Sequence, residues 1–281
     1  MRFFDLRGAR AFGRGFGRSA ITPNVSMKAF LGQTAGASWT EGSPAFDGYR
    51  DCLLREADRR LLLAVTNFRR SHDLLTPASA AWAQVTLYYS SFFAASSIAA
   101  MFGCWVDAPN ELVDVARSKA GAQEVSVLRS ESQIRRLANN ARGTHKPFWF
   151  LFYAGASTVT PLLPTSLSNA LTPISGQRDW LISARNKVNY QTPEAMVAAN
   201  DFHASFSAAM YPTGLVGDLG TQHQAAADLV AAAAWLSRKV RLKTDALNMV
   251  APANARRANL VAALRAPARV ATRGMASRLN I

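Results

Sequence analysis

Cysteine is nearly absent from this chain: Cys52 and Cys104 are the only two among 281 residues. Two thiols so far apart exclude a disulfide framework, and without a CxxC or a Cys/His cluster they exclude a zinc module. A reducing, cytoplasmic setting is the expectation that follows. Histidine is equally sparse. His72, His145, His203 and His223 are widely separated, and each reads as a surface or capping residue rather than a ligand. There is no Walker loop, no glycine fingerprint between a strand and a helix, no HExxH and no GxSxG. The expectation is therefore no metal and no cofactor. The N-terminus carries arginine throughout and lacks a continuous apolar stretch, so it does not read as a secretory leader.

Acidic residues are also scarce: 18 Asp and Glu stand against 32 Lys and Arg, for a formal net charge of +14. The imbalance is concentrated at the ends. Residues 1–30 hold Arg2, Arg7, Arg10, Arg14, Arg18 and Lys28 against Asp5 alone, and residues 254–281 hold six arginines and no acid. Residues 1–42 read as a basic, Gly/Ser-rich arm with little regular structure, and 251–281 as a basic tail. Such ends attract the phosphates of nucleic acid or of anionic lipid without reading sequence. Drift of an Ala/Arg-biased composition accounts for them equally well.

From Leu74 to Val106 there is no charged residue at all, which raises the question of a membrane span. Eight Ser, Thr and Gln side chains are scattered through the stretch. A lipid-facing helix favours unbroken Leu, Ile, Val and Phe, so a central helix buried in a bundle is expected, with no membrane partner.

What is present is helical pattern. The chain is 49% apolar, rich in alanine and poor in β-branched runs, which favours helix. Ser43-Pro44 provides a cap followed by proline at the first helical position. Phe46, Tyr49, Leu53, Ala57, Leu61, Ala64, Val65 and Phe68 then recur at spacings of three and four, predicting an amphipathic helix to about Ser71 with Asp51, Arg55, Glu56, Asp58, Arg59 and Arg60 on its wet side. Thr76-Pro77 starts a second helix running to about Met101, with Gly103 as its stop. Further helices are predicted over Pro173–Gln191, Thr192–Met210 and Gln222–Met249. The expected domain is 43–250, with an insertion at 107–172 that holds a helical turn at Asn110–Lys119, a short strand at Glu124–Leu128, a short helix at Ser132–Arg142 and the aromatic run Phe148–Tyr153. That run reads as core or cover, with a base-stacking platform as the alternative. The expected core is Leu53, Leu61, Trp82, Tyr89, Phe93, Ile98, Trp180, Leu181, Val188, Phe202 and Phe206.

The densest polar motif is Arg185-Asn186-Lys187-Val188-Asn189-Tyr190, set in an apolar helical pattern. Arg185 and Asn189 are four apart and share a helix face. A guanidinium, two amides and a phenol suit a phosphate, so Arg185, Asn186, Asn189 and Tyr190 are the candidate binding residues. The structural alternative has Arg185 clamping loop carbonyls and Asn189 and Tyr190 capping the helix end.

Tyr88-Tyr89-Ser90-Ser91-Phe92-Phe93-Ala94-Ala95 resembles the Tyr-Tyr-x-x-Phe-x-Ala-Ala phrase of HEPN domains, and Arg185-Asn186 resembles the first half of that family's later Arg-polar…His motif. The resemblance covers roughly 46–105 and 173–210. It implies an all-α helical bundle, a homodimer, an antitoxin-like partner protein, and RNA or nucleotide as ligand in a defence or toxin–antitoxin setting. Active members are metal-independent ribonucleases that need the histidine. Here Asn189 and Tyr190 occupy its place, and neither is a base near neutral pH. The chain therefore reads as a weak or inactive nuclease. The rival reading is a non-enzymatic helical interaction or dimerisation module.

Overall fold

The computed structural model describes residues 5–19, 25–33, 39–75, 79–107, 110–117, 122–159, 165–190 and 217–240. The fold is mainly α-helical with one small sheet. The centre is a pair of long helices, α3 (Pro44–Asp73) and α4 (Ala80–Met101), packed side by side. Ser43 caps α3 by accepting from the Phe46 amide at 3.1 Å, and Pro44 occupies the first turn. The last described helix, α9 (Gly217–Lys239), lies against α4 and α3. Buried between these partners, α4 pairs two of its serines with α3, whereas Ser96 Oγ and Gln84 Oε1 are buried with no hydrogen-bond partner among the described residues. Ser90 Oγ donates to Ala64 O at 2.8 Å and Ser97 Oγ to Ala57 O at 2.6 Å, both on α3. A buried hydroxyl left unpaired would cost about 1–3 kcal/mol. No helix among the described residues is long and apolar enough to cross a membrane.

After α4 the chain turns at Gly103, whose φ of +84° suits glycine. A Cβ there would lie 2.8 Å from Val115 Cγ2, and the Gly103 carbonyl accepts from Tyr49 Oη at 2.9 Å. Strands β2 (Trp105–Asp107), β3 (Glu111–Arg117) and β4 (Gln123–Leu128) follow, and β1 (Trp39–Thr40) adds from the N-terminal side. The sheet is antiparallel with order β1-β4-β3-β2. β4 matches the expected short strand, whereas β3 replaces the helical turn expected at Asn110–Lys119. Val113 and Val115 sit opposite Val127 and Val125, and paired β-branched residues stabilise a ladder. Beyond the sheet come α5 (Glu131–Leu137), α6 (His145–Ala156), α7 (Thr165–Ala170), a 3₁₀ turn at Ile174–Gly176 and α8 (Trp180–Tyr190). The aromatic run is the middle of α6, and Phe148, Trp149, Leu151, Phe152 and Tyr153 are buried. It belongs to the core.

The N-terminal segment departs most from expectation. Residues 1–42 do not read as a structureless arm once folded, because they supply α1 (Leu6–Arg14), α2 (Met27–Gln33) and β1. Phe12, Met27, Leu31 and Trp39 are almost fully buried. Phe12 meets Phe46 and Tyr49 edge-on at 5.9 and 6.2 Å. The glycine-rich turn after α1 presents its amides to Asp51: Gly17 N and Ser19 N donate to the two carboxylate oxygens at 3.1 and 2.8 Å. Asp51 is thus buried and satisfied rather than on the wet side of α3, and Asp58 is buried too. Gln123 Nε2 also donates to Gly8 O at 2.8 Å.

Of the expected core, Leu53, Ile98 and Leu181 are buried, and Leu61, Tyr89, Phe93 and Trp180 pack against it half-buried. Trp82 is a correction: it is 62% exposed. Its surroundings are neutral on every side of α4, so periodicity could not rank the faces. The turn expected at Tyr211–Gly220 is helical from Gly217 onward. The helix expected at Thr192–Met210, with Phe202 and Phe206, and the tail 251–281 lie outside the described residues. Both thiols are buried, and burial raises the Cys52 pKa to about 11.

Two histidines join α3 to α9. His72 Nε2 and His223 Nε2 stand 3.0 Å apart, His72 Nδ1 lies 2.9 Å from Phe68 O, and the Phe68 ring contacts both imidazoles. With Nδ1–H donating to the carbonyl, His72 Nε2 is left to accept from His223. Burial holds both pKa values low, His223 at about 4 with help from His72. The unfolded chain therefore binds more protons between about pH 6.5 and 4, and the pair's contribution to stability is lost as pH falls through that window. Buried Asp114, raised to about 7, has the opposite slope: its contribution is present at low pH and lost as pH rises. Comparison of the wild type with His223→Gln cancels it. The variant should show a flatter fall in urea midpoint from pH 7 to 4, and parallel profiles would remove the histidine pair from the acid response.

Candidate functional site

The Arg185 motif sits on α8, which lies against α4. Arg185 is half-buried and turned toward the aromatic face of α4. Its Nη2 donates to Tyr89 Oη at 2.9 Å and its Nη1 to Asn186 Oδ1 at 2.7 Å. The guanidinium carbon lies 5.5 and 5.6 Å from the Tyr88 and Tyr89 ring centres, within cation–π range. The Arg185 Nε is buried and has no hydrogen-bond partner among the described residues. Among the described residues Arg185 thus bonds side chains of α4 and α8, a link that fastens the two helices through Tyr89 rather than through loop carbonyls.

The second half of the site comes from α6. His145, in the first turn, stacks on Phe92 with centres 4.5 Å apart and planes 12° from parallel. Its Nδ1 is 2.6 Å from Tyr88 Oη. Trp149, four residues on and on the same helix face, points its Nε1 at that hydroxyl from 3.4 Å. Lys146 Nζ pairs with Asp179 at 3.2 Å just ahead of α8, which ties the start of α6 to the start of α8. Burial and then the charge of Arg185 lower the His145 pKa, so the imidazole is neutral near pH 7. In the Nε2–H tautomer, Nδ1 accepts the Tyr88 proton. Burial also raises the Tyr88 pKa, so this hydroxyl keeps its proton.

Sequence reasoning reached Arg185, Asn186 and the Tyr88-Tyr89 pair, and these do come together. Asn189 does not join them: its side chain is exposed. Tyr190 ends α8, and its side chain lies outside the described residues. His145, which reads from the sequence as a surface or capping residue, joins the cluster from the first turn of α6. The available signal was its spacing of four from Trp149 in an aromatic helix. Chemically, the cluster offers a fixed cation, an unpaired guanidinium N–H and a neutral imidazole, which is a donor set for an anion. It is poorly arranged as a base, because Tyr88 occupies the imidazole lone pair. Among the described residues no group of three or more His, Cys, Asp or Glu could hold a metal ion.

Comparison with known proteins finds no matching family model, no matching curated protein and no matching solved structure.

The tautomer makes a measurable statement. In Tyr88→Phe, Nδ1 loses the donor that favours neutral imidazole, so the His145 titration followed by NMR should move upward. Stability should fall by about 1–3 kcal/mol from the stranded polar groups. A downward or unmoved titration would place the proton on Nδ1.

Proposed function

We propose that the Arg185 cluster recognises phosphate in an RNA- or nucleotide-binding protein of HEPN-like type, acting in a defence or toxin–antitoxin setting, with nuclease activity weak or absent. The observation that carries this reading is the pairing of a half-buried Arg185 with a neutral His145 across the Tyr88-Tyr89 face. A phosphate there would receive charge-assisted hydrogen bonds from a guanidinium already held in place, which reduces the ordering cost of binding. The histidine missing after Arg185 is replaced in space by one from α6, with its lone pair engaged. That arrangement supports binding over proton abstraction.

Arg185→Ala should weaken binding of single-stranded RNA or mononucleotides at least about tenfold, the equivalent of about 1.5–3 kcal/mol for a charged hydrogen bond. Fluorescence anisotropy with labelled RNA measures this, alongside melting temperature. A variant with full affinity would defeat the reading, and one that chiefly melts early would make Arg185 a structural fastener. EDTA-resistant RNA cleavage that disappears in His145→Ala would instead make the protein an active nuclease.

One observation favours the interaction-module reading. Trp82 on α4 is 62% exposed, a large aromatic surface turned to solvent. Trp82→Glu should convert a dimer to a monomer in light scattering if this face pairs two copies. A wild type that is monomeric at micromolar concentration would end that reading.

A further inference from the structure

The geometry points to a phosphate-binding site at the junction of α1 and the end of α9, sharing no residue with the Arg185 cluster and standing independently of it. A cavity of about 390 Å³ opens there, and its described lining is Arg10, Arg14, Arg238 and Lys239, every one a cation. Arg10 and Arg14 are four apart on α1 and share a face. Arg238 and Lys239 form the basic last turn of α9.

The junction is built close. Gly13 is buried between the two arginine-bearing turns, and a Cβ at that position would lie 2.0 Å from the Val240 carbonyl oxygen. Only glycine lets the α1 backbone seat directly on the end of α9. That seating brings the two basic pairs to one cavity. Four like charges around a small concave space repel one another and focus a positive potential. The carbonyl ends of α1 and α9 offset part of this repulsion, each by about half a charge at most. An anion in the cavity lowers this repulsion further.

A second cavity, of about 250 Å³, shares Arg14 and adds Arg18 and Arg50, with Glu41 and Asp47 also at its wall. Arg50 is 3% exposed and paired with Asp47 at 2.6 Å and Asp51 at 3.2 Å, yet among the described residues its Nη2 has no hydrogen-bond partner. Gly15 makes room for that guanidinium, since a Cβ there would fall 2.2 Å from Nη1. Arg14 therefore stands between a cavity whose described lining is entirely cationic and one holding a guanidinium donor that is unsatisfied among the described residues. Guanidinium forks match phosphate oxygens bidentately, and lysine adds a point charge. Adjacent cavities with a shared arginine suit a ligand with more than one phosphate. Such phosphates belong either to a free polyphosphate chain or to a nucleic-acid strand.

Calorimetric titration of the full chain with inorganic tripolyphosphate tests the site. The wild type should bind with a stoichiometry near one. Arg10→Ala/Arg238→Ala, with both positions exposed on the surface, should bind at least about tenfold more weakly with an unchanged melting temperature. Arg185→Ala should bind tripolyphosphate as the wild type does. The exposed pair Arg136→Ala/Arg142→Ala serves as a charge-matched control and should also bind normally. A single-stranded RNA that displaces tripolyphosphate from the wild type assigns the site to nucleic-acid phosphates, and one that does not assigns it to a free polyphosphate. The proposal is overturned if tripolyphosphate does not bind. It is equally overturned if the Arg10/Arg238 variant binds as tightly as the wild type, if the control pair loses as much, or if the loss appears only in Arg185→Ala.

Discussion

The uncharged helix at the centre of this protein is joined to its neighbour by two serine hydroxyls. Along α4, Ser90 and Ser97 donate to carbonyls of α3 that already serve the α3 ladder. Each such carbonyl carries a second lone pair, so the bond costs α3 nothing. Alanines at 94, 95, 99 and 100 are buried beside them, and small side chains let helix backbones approach closely. The register between α3 and α4 is set by this combination, and the rest hangs from it. Tyr88, Tyr89 and Phe92 extend toward α6 and α8, and Gly103 turns the chain into the sheet.

The long helices were legible because burial on one face forces a period of 3.6 on apolar residues, as in α3 from Phe46 to Phe68. The N-terminal elements were not. α1 and α2 are 9 and 7 residues long, too short for a periodic signal, and they are held by tertiary contacts of Phe12, Phe30 and Trp39 rather than by propensity. The burial of Asp51 was hidden for a related reason: besides Arg50, its partners are backbone amides 32 and 34 positions away, and amides leave no mark on the sequence. Trp82 failed in the opposite direction, since a helix apolar on all sides gives no basis for choosing which side meets water. In the candidate site, Arg185 was conspicuous as a charge among apolar neighbours. His145 was invisible as its companion because the pair is assembled from separate helices, not from a motif.

Charge has a different meaning once α1 is folded. Read as a loose arm, the N-terminal arginines would act as a diffuse cloud of positive charge. On α1 they are anchored: Phe12 points into the core between Arg10 and Arg14, so the two guanidinium stems are presented on the outer side of a fixed helix. The same net charge then acts at defined positions. The Arg185 cluster follows the same logic, with aromatic rings rather than a backbone seat limiting how far the cation can move.

The seat of Gly13 on Val240 also governs the order in which the molecule is made. These two positions are near opposite ends of the described chain, so α1 leaves the ribosome long before its receiving surface exists. During synthesis Phe12 can already meet Phe46 and Tyr49 on α3, but the far side of α1 stays open until the last turn of α9 emerges. Closing a contact of such long sequence separation is slow and comes late in folding. Folding of this chain therefore ends where it began, with its first described helix as the last surface to be covered.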